Sequence, residues 1–430
     1  VTYLHPLLEP ALRQTLGVPL FQEQLMRIAT DAAGLSGARA DQLRRAMGAK
    51  RSPERMEALK GDLMAGMEER GIDAPTRERI FEQLKGFADF GFPESHSFSF
   101  AHIVYASSWL KVHAPEHFYA AILASQPMGF YSPATLVQDA RRHGVRVVGP
   151  SVNDSLVDAS VQRVEDTDAG ETYLEGRAES LPTRGVVPLD VDSDLAVRIG
   201  LSQVRGLGAA AERIVAARRE GAFMSQADLA RRAHVSSSDM EKLAMAGALG
   251  CLGVGRREGA WAAGALAQPR AHAGQWQPFL PGTEVGSRVP ELPPLSEVER
   301  MRSDVASTGV TPGTHPFTYV RGSLPEYVLR AGELGQHLAG RIVDVAGAVT
   351  HRQRPHTGGG ITFLSLEDET GFVNVSVSVG AWTKFRRVCL ESNALLVRGT
   401  LEWGDGAINI QAFKITPVAL PIEVKSRDFR

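Results

Sequence analysis

The stretch from Phe90 to Ala124 constrains the fold of the first third of the chain more than any other. Its opening Phe-Gly-Phe-Pro cannot continue a helix, because glycine is permissive and the residue before proline is pushed out of the α region. From His96 apolar residues then recur at helical spacing on two faces, one with Phe100, Ile103, Ser107 and Leu110, the other with Phe98, His102, Tyr105 and Trp109. A helix that is apolar on two faces predicts a buried helix, and Ala114-Pro115 ends it and begins the next one.

Helical patterns also precede this stretch. Residues 1–29 carry apolar residues at helical spacing, and Ser36 is a suitable N-cap for a helix that ends at Met47-Gly48. Adjacent arginines on such a helix most often form a solvated surface. They also suit a polyphosphate, since each guanidinium donates in bidentate geometry and stays charged. The positive residues in question are Arg44, Arg45, Lys50 and Arg51.

A glycine-bearing hairpin is predicted at Val204-Arg205-Gly206-Leu207-Gly208, followed by a helix whose apolar face includes Ile214. This is the sequence form of a helix-hairpin-helix. Gly206 and Gly208 allow the backbone close to a DNA phosphate, and the following helix presents unpaired N–H groups to the anion. Contacts of this kind, with Arg205 beside them, hold DNA in position without reading its sequence. A Gly-x-Gly pattern alone is a weak signal.

After about Gly335 the pattern changes to alternating apolar and polar residues, which predicts strands. Five strands with a helix between the third and fourth is the order of an OB-fold, which commonly binds single strands through its second and third strands and adjoining loops. We predict a flexible positive first loop at residues 351–360, and an alternative in which the barrel only packs on its neighbours stays open. The candidate DNA contacts are Arg352, Arg354, Phe363 and Phe372.

Two patterns look functional and are better explained otherwise. Asp190, Asp192 and Asp194 alternate, but a calcium loop of the EF-hand type would need glycine and an acid where Leu195 and Leu201 stand. We therefore predict an acidic turn and no metal site. Residues 275–279 faintly resemble peptides that bind a sliding clamp, but proline occupies the aliphatic place, so a linker that exposes two aromatic residues is the favoured interpretation.

Composition sets broad limits. A chain of 430 residues, 43% hydrophobic and 22% charged, has room for two to four domains. It contains no apolar run long enough to span a membrane, and its two cysteines suit a reducing cytoplasm. The net charge of −2 gives no global attraction to nucleic acid, so DNA contacts must come from local patches. The chain begins Val-Thr-Tyr without methionine, which predicts a fragment of a longer protein.

The words of the first third resemble the fingers region of bacterial C-family DNA polymerases, the group that includes the replicative polymerase III alpha subunit. The resemblance is carried by LFQEQLMRIA, by ADQLRRAMGAKR, by FGF-x-x-SH and by WLK-x-H-x-P-x-x-F-x-AA. PESH in place of the replicative NKSH, the run SQPMGFYSPATLVQDARRHGV and the ending VKSRDFR are similar to the error-prone, damage-associated branch. Glu94 thus stands where the replicative proteins carry lysine, so contacts of that lysine do not transfer.

The resemblance implies a DNA-directed DNA polymerase of translesion synthesis, in bacterial cytoplasm. Its partners would be primer-template DNA and deoxynucleoside triphosphates; an accessory mutagenesis protein or a sliding clamp stays open. Catalysis in this family uses two Mg²⁺ ions held by palm carboxylates, whose sequence words this chain lacks, so no catalytic residue is assigned here. The nucleotide-binding residues it implies are Arg44, Arg45, Lys50, Ser95 and His96.

The predicted fold class is multidomain α+β, with helical fingers, a helix-hairpin-helix region and a C-terminal OB-fold barrel. Two other functions stay open: a free-standing single-strand-binding or adaptor protein, and a replicative alpha-subunit fragment. The predicted divisions are fingers at 1–130, the end of the fingers and a connection at 131–200, the helix-hairpin-helix region at 201–267, a Pro/Gly-rich linker at 268–335, the OB-fold at 336–420 and a tail at 421–430.

Overall fold

A computed structural model describes residues 1–46, 52–87, 92–129, 131–163, 188–266, 290–355, 358–404, 407–422 and 426–429. The chain divides into two compact units, Val1–Ser108 and Trp109–Arg430. The predicted positions Lys50 and Arg51, the end of the helix at Gly48 and the peptide at 275–279 lie outside the described residues. No helix in the described part of the chain combines the length and the apolarity that crossing a membrane requires.

The first unit is helical. Leu12, Leu25, Leu43 and Phe81 lie in one core, each at most 2% exposed. Ser36 caps the third helix as predicted, because its side chain accepts a hydrogen bond from the Arg39 N–H. The helices are α1 (Glu9–Leu12), α2 (Gln22–Asp31), α3 (Gly37–Ala46), α4 (Ser52–Glu69), α5 (Ala74–Phe87) and α6 (Glu94–His113), the last of which contains the boundary between the units.

Helix α6 forms where the sequence predicts it, but the prediction that it is buried is wrong. None of its residues is buried, and Phe98 and Tyr105 are 78% and 74% exposed. Ile103 and Trp109, on the opposite predicted faces, are also exposed. The physical reason is that periodicity shows which faces of a helix are apolar but not whether another element packs on them, and none of the described residues buries these faces.

The second unit begins with α-helices around a small sheet. In that sheet β3 lies between β1, which runs parallel to it, and β2, which runs antiparallel. A separate core of Leu201, Leu207, Ile214 and Leu243 holds the helices that follow the sheet. The elements are α7 (Pro115–Ala124), α8 (Pro133–Arg142), β1 (Val147–Val148), β2 (Ser160–Arg163), β3 (Leu195–Arg198), α9 (Ala210–Arg218), α10 (Gln226–Ala233), α11 (Ser237–Met245) and α12 (Arg256–Leu266).

The linker predicted over 268–335 is wrong for its described part, 290–335, which contains α13 (Glu297–Thr308) and α14 (Thr318–Arg321). Ser296 and Glu299 form a reciprocal capping box that starts α13. Met301 and Asp304 of this helix are buried. The proline and glycine residues on both sides of α13 led to the prediction of a linker. The capping box is the stronger sequence signal here, and it indicates a short amphipathic helix.

The C-terminal barrel confirms the predicted OB-fold. Strand β5 pairs with β8 over residues 342–348 and with β6 from Ala348 onward, so it curves from one side of the barrel to the other. Strand β7 joins β6 to β9, and β9 pairs with β8 to close the circle. The elements are β4 (Val328–Leu329), β5 (Ile342–Gln353), β6 (Thr362–Asp368), β7 (Gly371–Val377), α15 (Val379–Glu391), β8 (Ala394–Gly404), β9 (Ala407–Pro417) and β10 (Arg427–Phe429), with β10 parallel to β5.

Candidate nucleic-acid interface

The adjacent arginines of the first unit lie in the last turn of α3 and share one carboxylate. Asp41 Oδ1 accepts from Arg44 Nε at 3.0 Å and Nη2 at 2.9 Å, while Oδ2 accepts from Arg45 Nε at 2.7 Å. The hydrogen bond from Arg44 holds the pKa of Asp41 below its ordinary value. The Arg45 side chain is 73% exposed against 41% for Arg44, and it meets Asp41 through Nε alone. Its terminal nitrogens are therefore the better placed donors for an anion.

Ser95 and His96 lie in the exposed first turn of α6. The start of this helix is fixed to α2, because the Glu94 N–H donates to Glu23 Oε2 at 2.8 Å. The His96 ring lies between Phe92 and Phe100, with centroid distances of 4.9 and 4.5 Å. The ring thus has a defined position on the surface of this unit.

The hairpin before α9 has the geometry that its glycines require. Gly206 and Gly208 have φ of +74° and +53°, a region that side chains with a Cβ rarely adopt. Val204 and Leu207 are buried, whereas Arg205 and both glycines are exposed. The hairpin therefore presents backbone to solvent immediately before the N-terminus of α9.

Lys242 is a cation beside this hairpin that sequence reasoning missed. Its Nζ comes from α11 and donates to the Gly206 carbonyl at 2.7 Å and to Asp239 Oδ1 at 3.0 Å. Arg205 is tied to α13, because its N–H donates to the Ser307 carbonyl at 2.8 Å and its Nη1 to the Ala306 carbonyl at 3.0 Å. The position of Lys242 in MEKLAMAGALG, 36 residues after the hairpin, gave no local signal of this contact.

A second glycine turn, between α11 and α12, is used for internal packing. Gly247 has φ of +77°, and a Cβ there would lie 2.8 Å from Arg256 Nη2. Arg256 is buried, with Nη2 2.7 Å from Asp304 Oδ1 of α13 and Nη1 donating to the Met245 carbonyl at 3.0 Å. The ion pair between Arg256 and Asp304 thus fills the space beside this turn.

Three of the predicted DNA contacts of the barrel are exposed but differ in what their side chains contact. Phe363 is 40% exposed on the outer face of β6, where it pairs with Gln353 of β5 and Ser376 of β7. Phe372 is 42% exposed, but the Arg142 guanidinium lies over its ring at 5.1 Å. Arg354 follows β5, is exposed, and lies over the Trp382 ring at 5.6 Å.

Arg352 is a correction, because it lies in strand β5 and not in a loop. It is 8% exposed, and its guanidinium donates to the Cys389 carbonyl at 2.6 Å and the Ser392 carbonyl at 2.8 Å. It also donates to Ser426 and meets Asp428 at 3.3 Å. A cation at the C-terminal end of α15 satisfies carbonyls that the helix leaves unpaired. Arg352 is therefore a structural arginine and is withdrawn as a DNA contact.

The turn between β6 and β7 carries three carboxylates that arginines from outside the barrel neutralise. Glu367 meets Arg142 of α8 at 2.9 Å, with the two side chains 5% and 8% exposed. Asp368 and Glu369 each meet Arg321 of α14 at 2.8 Å. Burial raises the pKa of Glu367 to about 7 and also raises that of Asp368. These ion pairs fix the barrel to the helices.

The acidic turn predicted at residues 190–194 contains internal contacts. His113 Nδ1 lies 2.6 Å from Asp190 Oδ2, and Asp192 Oδ1 accepts from the Asp194 N–H at 2.9 Å. Among the described residues no three His, Cys, Asp or Glu side chains converge in a way that could hold a metal ion. The donor sets present here therefore do not fit the Mg²⁺ ions of a polymerase, and no step through them is assigned to this chain.

Family comparisons match three parts of the chain. Residues 1–71 match the bacterial DNA polymerase III alpha subunit finger domain, 144–259 a helix-hairpin-helix motif and 343–418 an OB-fold nucleic acid binding domain. The second match begins at 144, earlier than the predicted boundary at 201. Residues 1–71 are therefore similar to the finger domain of bacterial DNA polymerase III alpha subunits.

Curated relatives that match along the whole chain share one name. Proteins named "Error-prone DNA polymerase" are 47% identical over 434 residues in Mycobacterium bovis and 48% identical over 442 residues in Nocardia farcinica. A third, from Corynebacterium glutamicum, is 43% identical over 435 residues. Each match covers all of this chain, which spans 37%, 36% and 37% of these curated relatives respectively. The identities confirm the predicted resemblance to the error-prone branch.

Proposed function

We propose that this chain supplies the nucleotide-binding fingers and the DNA-holding modules of an error-prone DNA-directed DNA polymerase that acts in damage-induced translesion synthesis. Its substrates would be deoxynucleoside triphosphates and primer-template DNA. Identity over the whole chain to relatives named "Error-prone DNA polymerase" carries this proposal. That identity favours the error-prone branch over a replicative alpha subunit or a free-standing adaptor.

The geometry of the first unit supports the nucleotide role. Asp41 holds Arg44 and Arg45 in one orientation, so their guanidinium groups are positioned before any ligand arrives. Pre-positioned guanidinium forks reduce the entropy lost when a triphosphate binds. Ser95 and His96, in the first turn of α6, belong to the same proposed nucleotide surface, as does Lys50 from its sequence position.

The hairpin and the barrel support the DNA role. The exposed backbone around Gly206 and Gly208, with Arg205 and Lys242 beside it, suits the phosphates of a duplex. Phe363 on the outer face of β6, with Arg354 at the end of β5, suits a single strand through stacking and charge. Catalytic carboxylates and their Mg²⁺ belong, on this proposal, to a palm domain outside this chain.

Single-nucleotide insertion by the full-length enzyme tests the proposal. We expect Arg45→Ala to raise the apparent nucleotide KM about ten- to a hundred-fold, the loss of one charge-assisted contact to phosphate, with little change in primer-template affinity. Arg39→Ala is the matched control, because Arg39 lies on the same helix and pairs with Asp62 instead. Equal nucleotide dependence in the parent, the control and Arg45→Ala would remove the fingers assignment from α3.

A further inference from the structure

The second unit contains a cleft of about 870 Å³ that is distinct from the hairpin tip and from Phe363. Its walls come from the start of α8, the residues just before the hairpin, helix α13, and strands β5 and β6. Ligand sites of this size are usually apolar surfaces with a few polar groups that fix orientation. This cleft fits that description, with an apolar surface that includes Pro133, Val305 and Ile422.

The exposed charges of the cleft are positive. Arg205 donates Nη1 to the Ala306 carbonyl, and Arg302 donates Nε to the Pro421 carbonyl at 2.8 Å. These bonds orient each guanidinium while using only part of its five donors. The one carboxylate in the lining, Glu367, is already paired with Arg142. An anion that enters the cleft thus meets two oriented guanidinium groups and a neutralised acid.

His315 adds a neutral donor to this lining. Its Nδ1 accepts from the Phe317 N–H at 3.1 Å, so the ring proton resides on Nε2. Burial and the neighbouring arginines lower the pKa of His315 to about 3, so the ring is uncharged at neutral pH. A group of this kind donates a hydrogen bond without adding charge.

The cleft also lies between the two proposed DNA-holding modules. Ser202, Gln203 and Arg205 of its wall lead directly into the hairpin. Glu367 and Phe363 lie four residues apart on β6 and therefore on the same face of the strand, separated by about 13 Å. A DNA single strand that passes over Phe363 and continues along this face of β6 therefore reaches the cleft.

We propose, building on the DNA-holding role above, that this cleft binds nucleotides of a DNA single strand. Phosphate oxygens would lie against Arg205 and Arg302, and base faces against the apolar surface. Stacking of bases on aromatic side chains combined with charge contacts to the backbone is the usual means of binding single strands without sequence preference, and here an aliphatic surface would take the place of the aromatic side chains.

The test measures fluorescence anisotropy of a labelled oligothymidylate of about ten nucleotides, within the range of site sizes of one OB-fold, bound to the 430-residue chain. We expect Arg302→Ala to weaken binding about ten- to a hundred-fold and to reduce the salt slope by about 0.7. Ala306→Trp fills the cleft from an exposed position on helix α13 and removes no charge, so it should weaken binding and leave the slope unchanged. Arg386→Ala, an exposed position on α15 outside the lining, should bind like the parent.

The outcomes separate this proposal from the function on which it rests. If Arg302→Ala and Ala306→Trp both bind the oligonucleotide like the parent while Phe363→Ala binds it more weakly, the proposal that the cleft binds DNA is wrong. The assignment of the barrel as a single-strand-binding module then still holds. Binding of thymidine monophosphate as tight as that of the oligonucleotide overturns the strand assignment in favour of a free nucleotide. Circular dichroism confirms that each variant is folded. The nucleotide-insertion assay on the full-length enzyme tests the polymerase role independently.

Discussion

The replacement of Arg352 by alanine should destabilise the barrel instead of acting on DNA. The guanidinium satisfies the carbonyls of Cys389 and Ser392, and Arg352 is 8% exposed. A buried acceptor that loses its donor costs about 1–3 kcal/mol, so two of them cost about 2–6 kcal/mol. The pair with Asp428, whose side chain is 55% exposed, adds less than about 1 kcal/mol.

Hydrogen exchange measured by mass spectrometry on the 430-residue chain resolves this effect locally. In Arg352→Ala we expect the free energy of opening to fall by about 2–6 kcal/mol for peptides from the end of α15, whose carbonyls lose their donor. For peptides from β10, which lose the pair with Asp428, it should fall by less than about 1 kcal/mol. Exchange in the first unit, Val1–Ser108, should not change and serves as the internal reference.

Arg354→Ala is the matched comparison, since Arg354 is two residues away and exposed. It loses a cation–π contact with Trp382, worth about 0.5–1 kcal/mol, so its exchange should stay near that of the parent. Its single-strand affinity should fall and its salt slope decrease by about 0.7. The reasoning fails if Arg352→Ala leaves exchange unchanged and weakens single-strand binding as strongly as Arg354→Ala.

Three further predictions concern catalysis, duplex binding and pH. The 430-residue chain should not extend a primer with Mg²⁺ or Mn²⁺; extension that disappears when Asp190, Asp192 and Asp194 become Asn would contradict this. Gly208→Val forces a β-branched residue to φ of +53° and should weaken duplex binding with no change of salt slope, whereas Gly208→Asn, which tolerates that φ, should bind closer to the parent. Burial raises the pKa of Glu367 from 4.5 to about 7, so the folded state binds the extra proton and the free energy of unfolding should fall as pH rises through that window. Urea unfolding at several pH values should show a slope contribution of up to about 1.4 kcal/mol per unit, absent in Glu367→Gln; identical profiles would refute it.

The sequence predicted those parts of the fold that depend on local pattern. Alternation of apolar residues placed β5 to β9, and the helical spacing of residues 382–389 placed α15 between β7 and β8. Ser36 predicted the start of α3, and Gly206 with Gly208 predicted the hairpin. Each of these signals lies within a few residues of the element that it specifies, so no knowledge of tertiary contacts was needed.

Tertiary partners were beyond the reach of these patterns. Arg142 and Glu367 form a buried pair although 225 residues separate them, and neither stands in a distinctive local context. Arg352 belonged to a basic run whose other members suggested a loop. The faces of α6 are apolar as the spacing predicts, but the sequence does not say whether another element packs on them. Sequence patterns thus indicate whether a side chain favours an apolar or a charged environment, but the tertiary fold determines which residue provides that environment.

Helix α13, which lies where a linker was predicted, contacts both the hairpin region and the C-terminal end of the barrel in the second unit. Near the middle of the helix Arg302 donates to the Pro421 carbonyl beyond β9, and Asp304 pairs with Arg256 of α12. At its C-terminus the carbonyl of Ser307 accepts from the N–H of Arg205 beside the hairpin. These contacts span six residues, about 9 Å of helix. The separation between the hairpin and the C-terminal end of the barrel is therefore set by a packed helix and not by the entropy of a flexible chain. Duplex held at the one and single strand held at the other would consequently keep a fixed register.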